Sequence, residues 1–511
     1  MSGIDRIRSY RLSQRMKLTI LSVLFWGVLA HLYMYMNRIV NHDAVFALKY
    51  SGATVTSGRW FLHILVEISN KFHNNYVTPW WIGGATLALY AACACVLVKV
   101  FDIRSKPLCC ILGAILVTYP TVTSNNLYIF TAHYYALALL LSCGSVLVLR
   151  LSGRLPAILA GSLMIACSLG IYQAYIPFIL CMYVLMILLE SLRPAAVTRD
   201  IIRRALTCFA ALVGGLVLYF VVNRCFLRLT GSQMDTYMGL DSMGRIDPAA
   251  IPSMLRQCYS SFVGLFLENY HGVNHKPWLR IVMLLCTLFA FGSGAFLIRR
   301  NKVCPLHIGF VCITVILLPI AIGAMYIMTQ TEKAICTMTV FATIFVFIVP
   351  ICMADRVLPK LSVNRAFLVE LCLCASLVFV PVYYSSLANE TYLSMEYSMQ
   401  NINAYYTELA AQIKSLEGFS PELKVAFLGE NQDPSIPQID CDYIIRGTFT
   451  PAELVNIYSR EAYMTMHCGY GCTFVKDKES LQNDDRVKEM PAYPANGSIR
   501  IIDDVIVVKF S

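Results

Sequence analysis

Residues 1–36 read MSGIDRIRSYRLSQRMKLTILSVLFWGVLAHLYMYM. Arg6, Arg8, Arg11, Arg15 and Lys17 precede a run from Leu18 to Met36 that carries no formal charge. Such a run is long enough to cross the roughly 30 Å of bilayer hydrocarbon, which takes about 20 apolar residues. Its basic flank marks the end that stays in the cytoplasm. Working outward, comparable runs follow near 80–101, 108–121, 133–150, 156–171, 176–191, 205–226, 279–298, 304–327, 335–353 and 366–384. Recurrence of this kind excludes a cleaved signal peptide or a single anchor. The composition agrees: of 511 residues 57% are hydrophobic and only 14% charged, against about 25% charged in soluble domains. The expected fold is an α-helical polytopic membrane protein of about 11 transmembrane helices.

The net charge of +10 has its explanation in the loops. With the start inside, the inner loops hold Arg104 and Lys106; Arg150 and Arg154; Arg193, Arg199, Arg203 and Arg204; Arg299, Arg300 and Lys302; and Arg356, Lys360 and Arg365. Each is basic, as the positive-inside rule requires. The opposing loops, 37–79, 122–132, 172–175, 227–278 and 328–334, are richer in acids, amides and aromatics. No basic surface on a soluble domain is visible, so nucleic acid is not an expected partner. Most of the 20 cysteines lie inside apolar runs and act there as small hydrophobes. Cys441, Cys468 and Cys472 stand apart in polar sequence, where either one disulfide forms among them or all three stay thiols.

The first outer loop, 37–79, is expected to hold two helices lying in the membrane surface, since Trp60, Phe61, Ile64, Leu65 and Ile68 recur at helical spacing. The segment YPTVTSNNLYIFTAHYY, 119–135, is too polar to face lipid and has to line protein or water. From 385 the composition becomes that of a soluble domain. TYLSMEYSMQNINAYYTELAAQIKSLEG predicts an amphipathic helix ending at Gly418, LKVAFLGE a buried strand, PAELVNIYSREAY a helix with Pro451 near its start, and SIRIIDDVIVVKF a hairpin turning at Asp503-Asp504. Two regions are therefore expected: a transmembrane domain over 1–384 and a small extracytoplasmic α/β cap over 385–511.

Chemistry is expected where polar residues meet the outer ends of the spans, because charge there is costly. Asp43, in NHD, is placed to act as a general base; the alternative is a solvated carboxylate or a helix N-cap. Arg59, in SGRW, suits bidentate phosphate binding or interfacial anchoring beside Trp60. Lys49 and Lys333 offer phosphate contacts of the same kind, or simple snorkelling. His42, His133, Tyr134, Tyr172 and Gln173 offer rings and amides to a sugar, and belt aromatics account for the tyrosines equally well. No Walker loop, dinucleotide fingerprint, H-E-x-x-H or G-x-S-x-G elbow occurs. A nucleotide-sugar donor and ATP-driven transport are thereby disfavoured.

Several stretches together carry a resemblance: NHDAVF and SGRWF in the first loop, SLGIYQAYIPF at 168–178, NINAYYTELAAQI followed by KVAFLG, and the ending PAYPANGSIRIIDDVIVVKF. In this order the chain resembles the bacterial polytopic O-antigen glucosyltransferases, the glucosyltransferase type II-like group of the GT-C class. The resemblance implies a sugar on polyprenyl phosphate as donor, usually glucose, and a cell-surface glycan as acceptor. It implies work at the outer face of the bacterial cytoplasmic membrane, and a flippase and a donor-making glycosyltransferase as partners. It gives Asp43 the role of the acid in the first outer loop, and Arg59 and Lys333 that of cations near the lipid phosphate. A lone acid makes a poor metal site, so no metal or other cofactor is expected. A transporter or flippase, or a polymerase or ligase of lipid-linked polysaccharide, is the competing reading; against the first, no internal repeat is visible.

Overall fold

The computed structural model describes residues 12–46, 54–72, 76–235, 247–268, 275–329, 340–431 and 459–511. In chain order the helices of the membrane region are α1 Gln14–Met36, α2 Trp60–Asn70, α3 Pro79–Val100, α4 Lys106–Thr118, α5 Pro120–Leu127, α6 Ile129–Leu151, α7 Leu155–Ile171 and α8 Ile176–Ser191. They continue with α9 Thr198–Thr230, α10 Ile251–Leu267, α11 Pro277–Arg300, α12 Pro305–Ile322, α13 Ala324–Thr329, α14 Phe345–Val357 and α15 Val363–Lys414. Among the described residues ten helical stretches are long and apolar enough to cross a membrane. The shorter α7 corresponds to the remaining expected span.

The helix starts are built locally. Ser13 Oγ accepts from Met16 N at the head of α1, and Ser105 Oγ accepts from Leu108 N at the head of α4, each filling one of the donors a helix start leaves open. Proline opens α3, α7, α11 and α12, where its missing N–H costs nothing.

Burial sorts the spans. The stretches Lys106–Leu127 and Phe341–Lys360 are 89% buried within the protein, whereas the apolar windows of α9 and α15 are 28% and 17% buried. The first two therefore form the centre, and the last two turn their leucines, valines and phenylalanines outward. At the centre His31 of α1 lies between Tyr392 Oη of α15 and Val117 O of α4, both at 2.9 Å. One end of the bundle is fastened by charge. Asp355, almost wholly buried, accepts the backbone N–H groups of Arg104 at 2.8 Å and Ser105 at 2.9 Å. Arg356 donates to Phe101 O at 2.6 Å, and Arg15 to Ile103 O at 2.7 Å.

Two expectations change here. The helix predicted after the last span is not a separate element: α15 runs unbroken for 52 residues, about 78 Å, through the expected boundary at 384/385. Pro381 is accommodated within it, and no glycine or proline follows before its end. Leu387, Tyr392, Met395, Ile402, Tyr406, Leu409 and Ile413 continue its buried stripe. The first outer loop also differs. The helix α2 is present, but Trp60, Leu62 and Val66 are buried and it packs on α7 and α9, because the bundle offers it an apolar recess. Of the other expected surface helix, the 3₁₀ turn Ala44–Phe46 is described; 47–53 lie outside the described residues.

The C-terminal region has the predicted mixed character. Strands β1 Lys424–Leu428, β2 Ile499–Ile502 and β3 Val505–Lys509 form a sheet in the order β1-β3-β2, with β1 parallel and β2 antiparallel to β3. The hairpin turns at Asp503 and Asp504, both left-handed (φ 48° and 62°), as a two-residue I′ turn demands. Of the predicted helix at 451–463, Ser459–Met466 (α16) is described. Cys468 and Cys472 are free thiols; Cys441 lies outside the described residues.

Replacing Asp355 by Ala strands two backbone donors and is expected to cost on the order of 2 kcal/mol or more. Thermal unfolding of the detergent-solubilised protein reads this as a fall of several degrees.

Candidate active site

The shortness of α7 shapes this region. Its 17 residues reach about 25 Å, while the 23 residues of neighbouring α6 reach about 34 Å. The chain after α7 therefore turns back below the end of α6, and the first loop fills the space above. Gly170, at the end of α7, is so close to Trp60 that a Cβ would lie 2.7 Å from the indole ring. Gln173 is buried, and its amide Nε2 donates to Ser57 O at 2.7 Å and lies 2.9 Å from Tyr219 Oη of α9. Tyr219 Oη in turn donates to Gly58 O at 3.3 Å. Gly58 adopts φ +74°, and a Cβ there would meet Tyr219 Oη at 2.4 Å and Gln173 Nε2 at 2.7 Å. Glycine is required at this position both by backbone conformation and by space.

This knot presents Arg59. Its Nη1 donates to Tyr135 Oη at 3.3 Å, and its guanidinium lies 5.5 Å from the centre of the Tyr172 ring. Tyr135 and Tyr172 face one another at 4.6 Å. The result is a planar cation set against the Tyr172 ring and hydrogen-bonded to the Tyr135 hydroxyl, a setting that holds guanidinium orientation.

Asp43 follows α1 on the short 3₁₀ turn. Asn41 caps this turn, its Oδ1 accepting from Ala44 N at 2.8 Å. Asp43 stands two residues after this cap. Its side chain is 40% exposed, with His42 Nε2 3.8 Å away, so solvent and a hydroxyl both have access. The His42 ring meets Tyr128 edge-on at 6.3 Å. Tyr128 is the residue that precedes α6, with non-helical backbone (φ −99°, ψ 59°), and Tyr135 lies in the second turn of the helix, about 10 Å further along. The start of α6 thus lies between the two groups, with Tyr128 against His42 and Tyr135 against Arg59.

The C-terminal domain reaches the same turn. His467, just past α16, lies 3.2 Å from Val45 O; against a carbonyl its Nε2 is the donor. Burial holds this imidazole below its ordinary value of 6.5, Arg38 acts in the same direction, and the bond to Val45 opposes both. The docked state therefore disfavours protonation. Its contribution is full above the ordinary histidine range and is lost as the pH falls below it. On the other side of the same segment, Met399 Sδ of α15 lies 3.3 Å from Val40 N.

The sequence candidates divide accordingly. Asp43 and His42 come together, as do Arg59 and Tyr172. Gln173 belongs with Arg59 as a positioning group, its amide N–H taken by the loop. His133 and Tyr134 do not join this face. They stack on each other at 3.9 Å, one and two residues before Tyr135, and at 100° per residue they point elsewhere. Lys49 and Lys333 lie outside the described residues. Tyr135, Tyr128, Tyr219, Gly58 and His467 were not among the candidates. Nothing in the sequence singles out Tyr135 over its neighbour, and for His467 no sequence signal exists.

A profile for the family described as Glucosyl transferase GtrII matches residues 32–349, more than half of the chain and including both halves of this site. The chain belongs to the GtrII glucosyl transferase family. It is a multi-pass membrane glucosyltransferase. The GtrII match ends before α15 and the sheet domain, so the resemblance of 401–429 and 491–510 lies beyond it. No curated protein and no solved structure matches the chain.

Gly58→Ala is expected to displace the first loop and to lower glucosyl transfer by more than tenfold while the protein still inserts and folds; transfer assays on membranes with matched protein levels measure it. His467→Ala is expected to reduce transfer and to expose the C-terminal domain to limited proteolysis.

Proposed function

We propose that the protein moves glucose from a polyprenyl-phosphate donor to a cell-surface glycan at the outer face of the bacterial cytoplasmic membrane, by single displacement with inversion. The observation that supports it most is the accessible Asp43 carboxylate beside the start of α6, whose second turn carries the Tyr135 hydroxyl that accepts from the Arg59 guanidinium. In this reading Asp43 takes the proton of the acceptor hydroxyl, whose oxygen attacks the anomeric carbon of the donor. The bond from that carbon to the phosphate oxygen breaks, and polyprenyl phosphate leaves with the electron pair. Arg59 faces the negative charge that grows on the leaving phosphate, a task for which a pre-oriented fork of N–H donors is suited. Lys333 and Lys49 are assigned to the same phosphate.

His42 lies beside the carboxylate and Tyr172 beside the guanidinium, and both are assigned to sugar contacts. His133 and Tyr134 retain that assignment only for the outer part of an acceptor glycan, since they face away from Tyr135. The reaction is assigned no metal or other cofactor. A GT-C type of organisation fits, with the N-terminus in the cytoplasm and the sheet domain outside. A flippase and a donor-making glycosyltransferase are the partners such a donor requires, because the lipid-linked sugar has to be made and turned across the bilayer. Membership of a glucosyl transferase family favours this reading over a transporter or a polysaccharide polymerase.

Asp43→Asn tests the proposal with purified protein, polyprenyl-phosphate glucose and isolated acceptor glycan. Transfer is expected to fall at least about 100-fold with thermal stability unchanged; full turnover in this variant would remove Asp43 from the chemistry. Arg59→Lys keeps the charge but loses the planar fork, and is expected to lower transfer on the order of tenfold.

A further inference from the structure

A second site lies at the other end of the bundle. Arg150 is in the last turn of α6, whereas Tyr128, which meets His42, stands at its head; the two ends are about 33 Å apart. Between the ends of α6, α8 and α9 at that level is a cavity of about 470 Å³ lined by Arg150, Arg193, Arg203, Arg204, Glu190 and Asp200. Four arginines against two carboxylates leave an excess of two positive charges. The carboxylates do not neutralise it evenly. Glu190 pairs with Arg204 at 3.3 Å, and Arg204 also donates to Leu149 O at 2.6 Å. Among the described residues Arg150, Arg193 and Arg203 have no carboxylate within ion-pair distance.

The surroundings identify what such a cavity takes. It shares Arg203 and Thr207 with a shallower groove of about 680 Å³ whose other walls include Ile158, Ile202 and Leu206. Ile202 and Leu206 are exposed on a helix whose apolar window is only 28% buried, so this groove opens toward hydrocarbon. A hollow with surplus guanidinium groups, continuous with an apolar furrow on the membrane side, is complementary to an anion that carries a hydrocarbon tail. Basic flanks on transmembrane helices generally attract anionic lipid surfaces, but a flat basic surface needs neither a concave pocket nor an adjoining furrow.

We propose that this cavity binds an anionic glycerophospholipid, with the phosphate among Arg150, Arg193 and Arg203 and an acyl chain along Ile158, Ile202 and Leu206. The site is independent of the transfer reaction and lies at the opposite end of α6 from it. Occupancy joins α6, α8 and α9 at a level where three like charges otherwise face one another, so the bound lipid stabilises the bundle.

Thermal unfolding of the full chain in mild detergent tests this with phosphatidylglycerol, phosphatidylcholine or inorganic phosphate added. Phosphatidylglycerol is expected to raise the midpoint by several degrees over phosphatidylcholine, and phosphate alone to leave it unchanged. The double variant Arg193→Gln/Arg203→Gln, at two exposed positions, is expected to lose at least half of that difference while its midpoint in phosphatidylcholine stays at the parent value. Arg299→Gln/Arg300→Gln, at two exposed arginines outside the cavity, is expected to keep the difference in full. Equal stabilisation by the two lipids overturns the proposal. So does an equal loss in both double variants, which would mean diffuse surface attraction. A full shift with inorganic phosphate would mean a free-anion site and overturns it as well.

Discussion

The candidate site depends on a mismatch of length. A helix of 17 residues falls short of the hydrocarbon thickness by about 5 Å, and backbone polar groups cannot be left facing lipid at that depth. The gap after α7 has to be filled by protein. The first outer loop fills it, with Trp60 over Gly170 and with the carbonyls of Ser57 and Gly58 held by Gln173 and Tyr219. Arg59 is consequently held below the ends of the longer helices, against the Tyr172 ring and the Tyr135 hydroxyl, where a cation on a free surface loop would have remained solvated. The same principle acts at α5, whose eight residues are all buried although five of them, in PTVTSNNL, are polar.

The spans were legible because the hydrocarbon requirement is written directly in composition and run length. The hairpin was legible for a different reason: Asp503-Asp504 flanked by alternating apolar residues specifies its own turn. What escaped the sequence was contact between distant segments. Gln173 reads as a polar group available to a ligand until Tyr219, 46 residues on, and Ser57, 116 residues back, are seen to share its amide. Tyr134 and Tyr135 are equivalent as letters; only the contact of Tyr135 with Arg59 separates them. The boundary at 384/385 was drawn where hydropathy falls, but helix propensity does not fall there, and α15 continues.

Besides the continuous α15, the contact of His467 with Val45 joins the C-terminal domain to the membrane region. Arg460 ties the domain internally, donating to Gly429 O at 2.7 Å and to Phe427 O at 2.8 Å while its guanidinium lies against both the Phe427 and the Phe510 ring. The Asp43 turn is thus bounded by residues from three parts of the chain: Asn41 within the turn, Met399 on α15 and His467 beyond α16.

One consequence of α15 is mechanical. Between Val382 and Lys414 it contains neither glycine nor proline, so it has no built-in hinge. A rod of this kind sets the distance at which the sheet domain stands from the bundle. The chain bends only beyond it, between Lys414 and Lys424, where Gly418 adopts φ +80°, so any change in the heading of the sheet has to be taken up in that short joint.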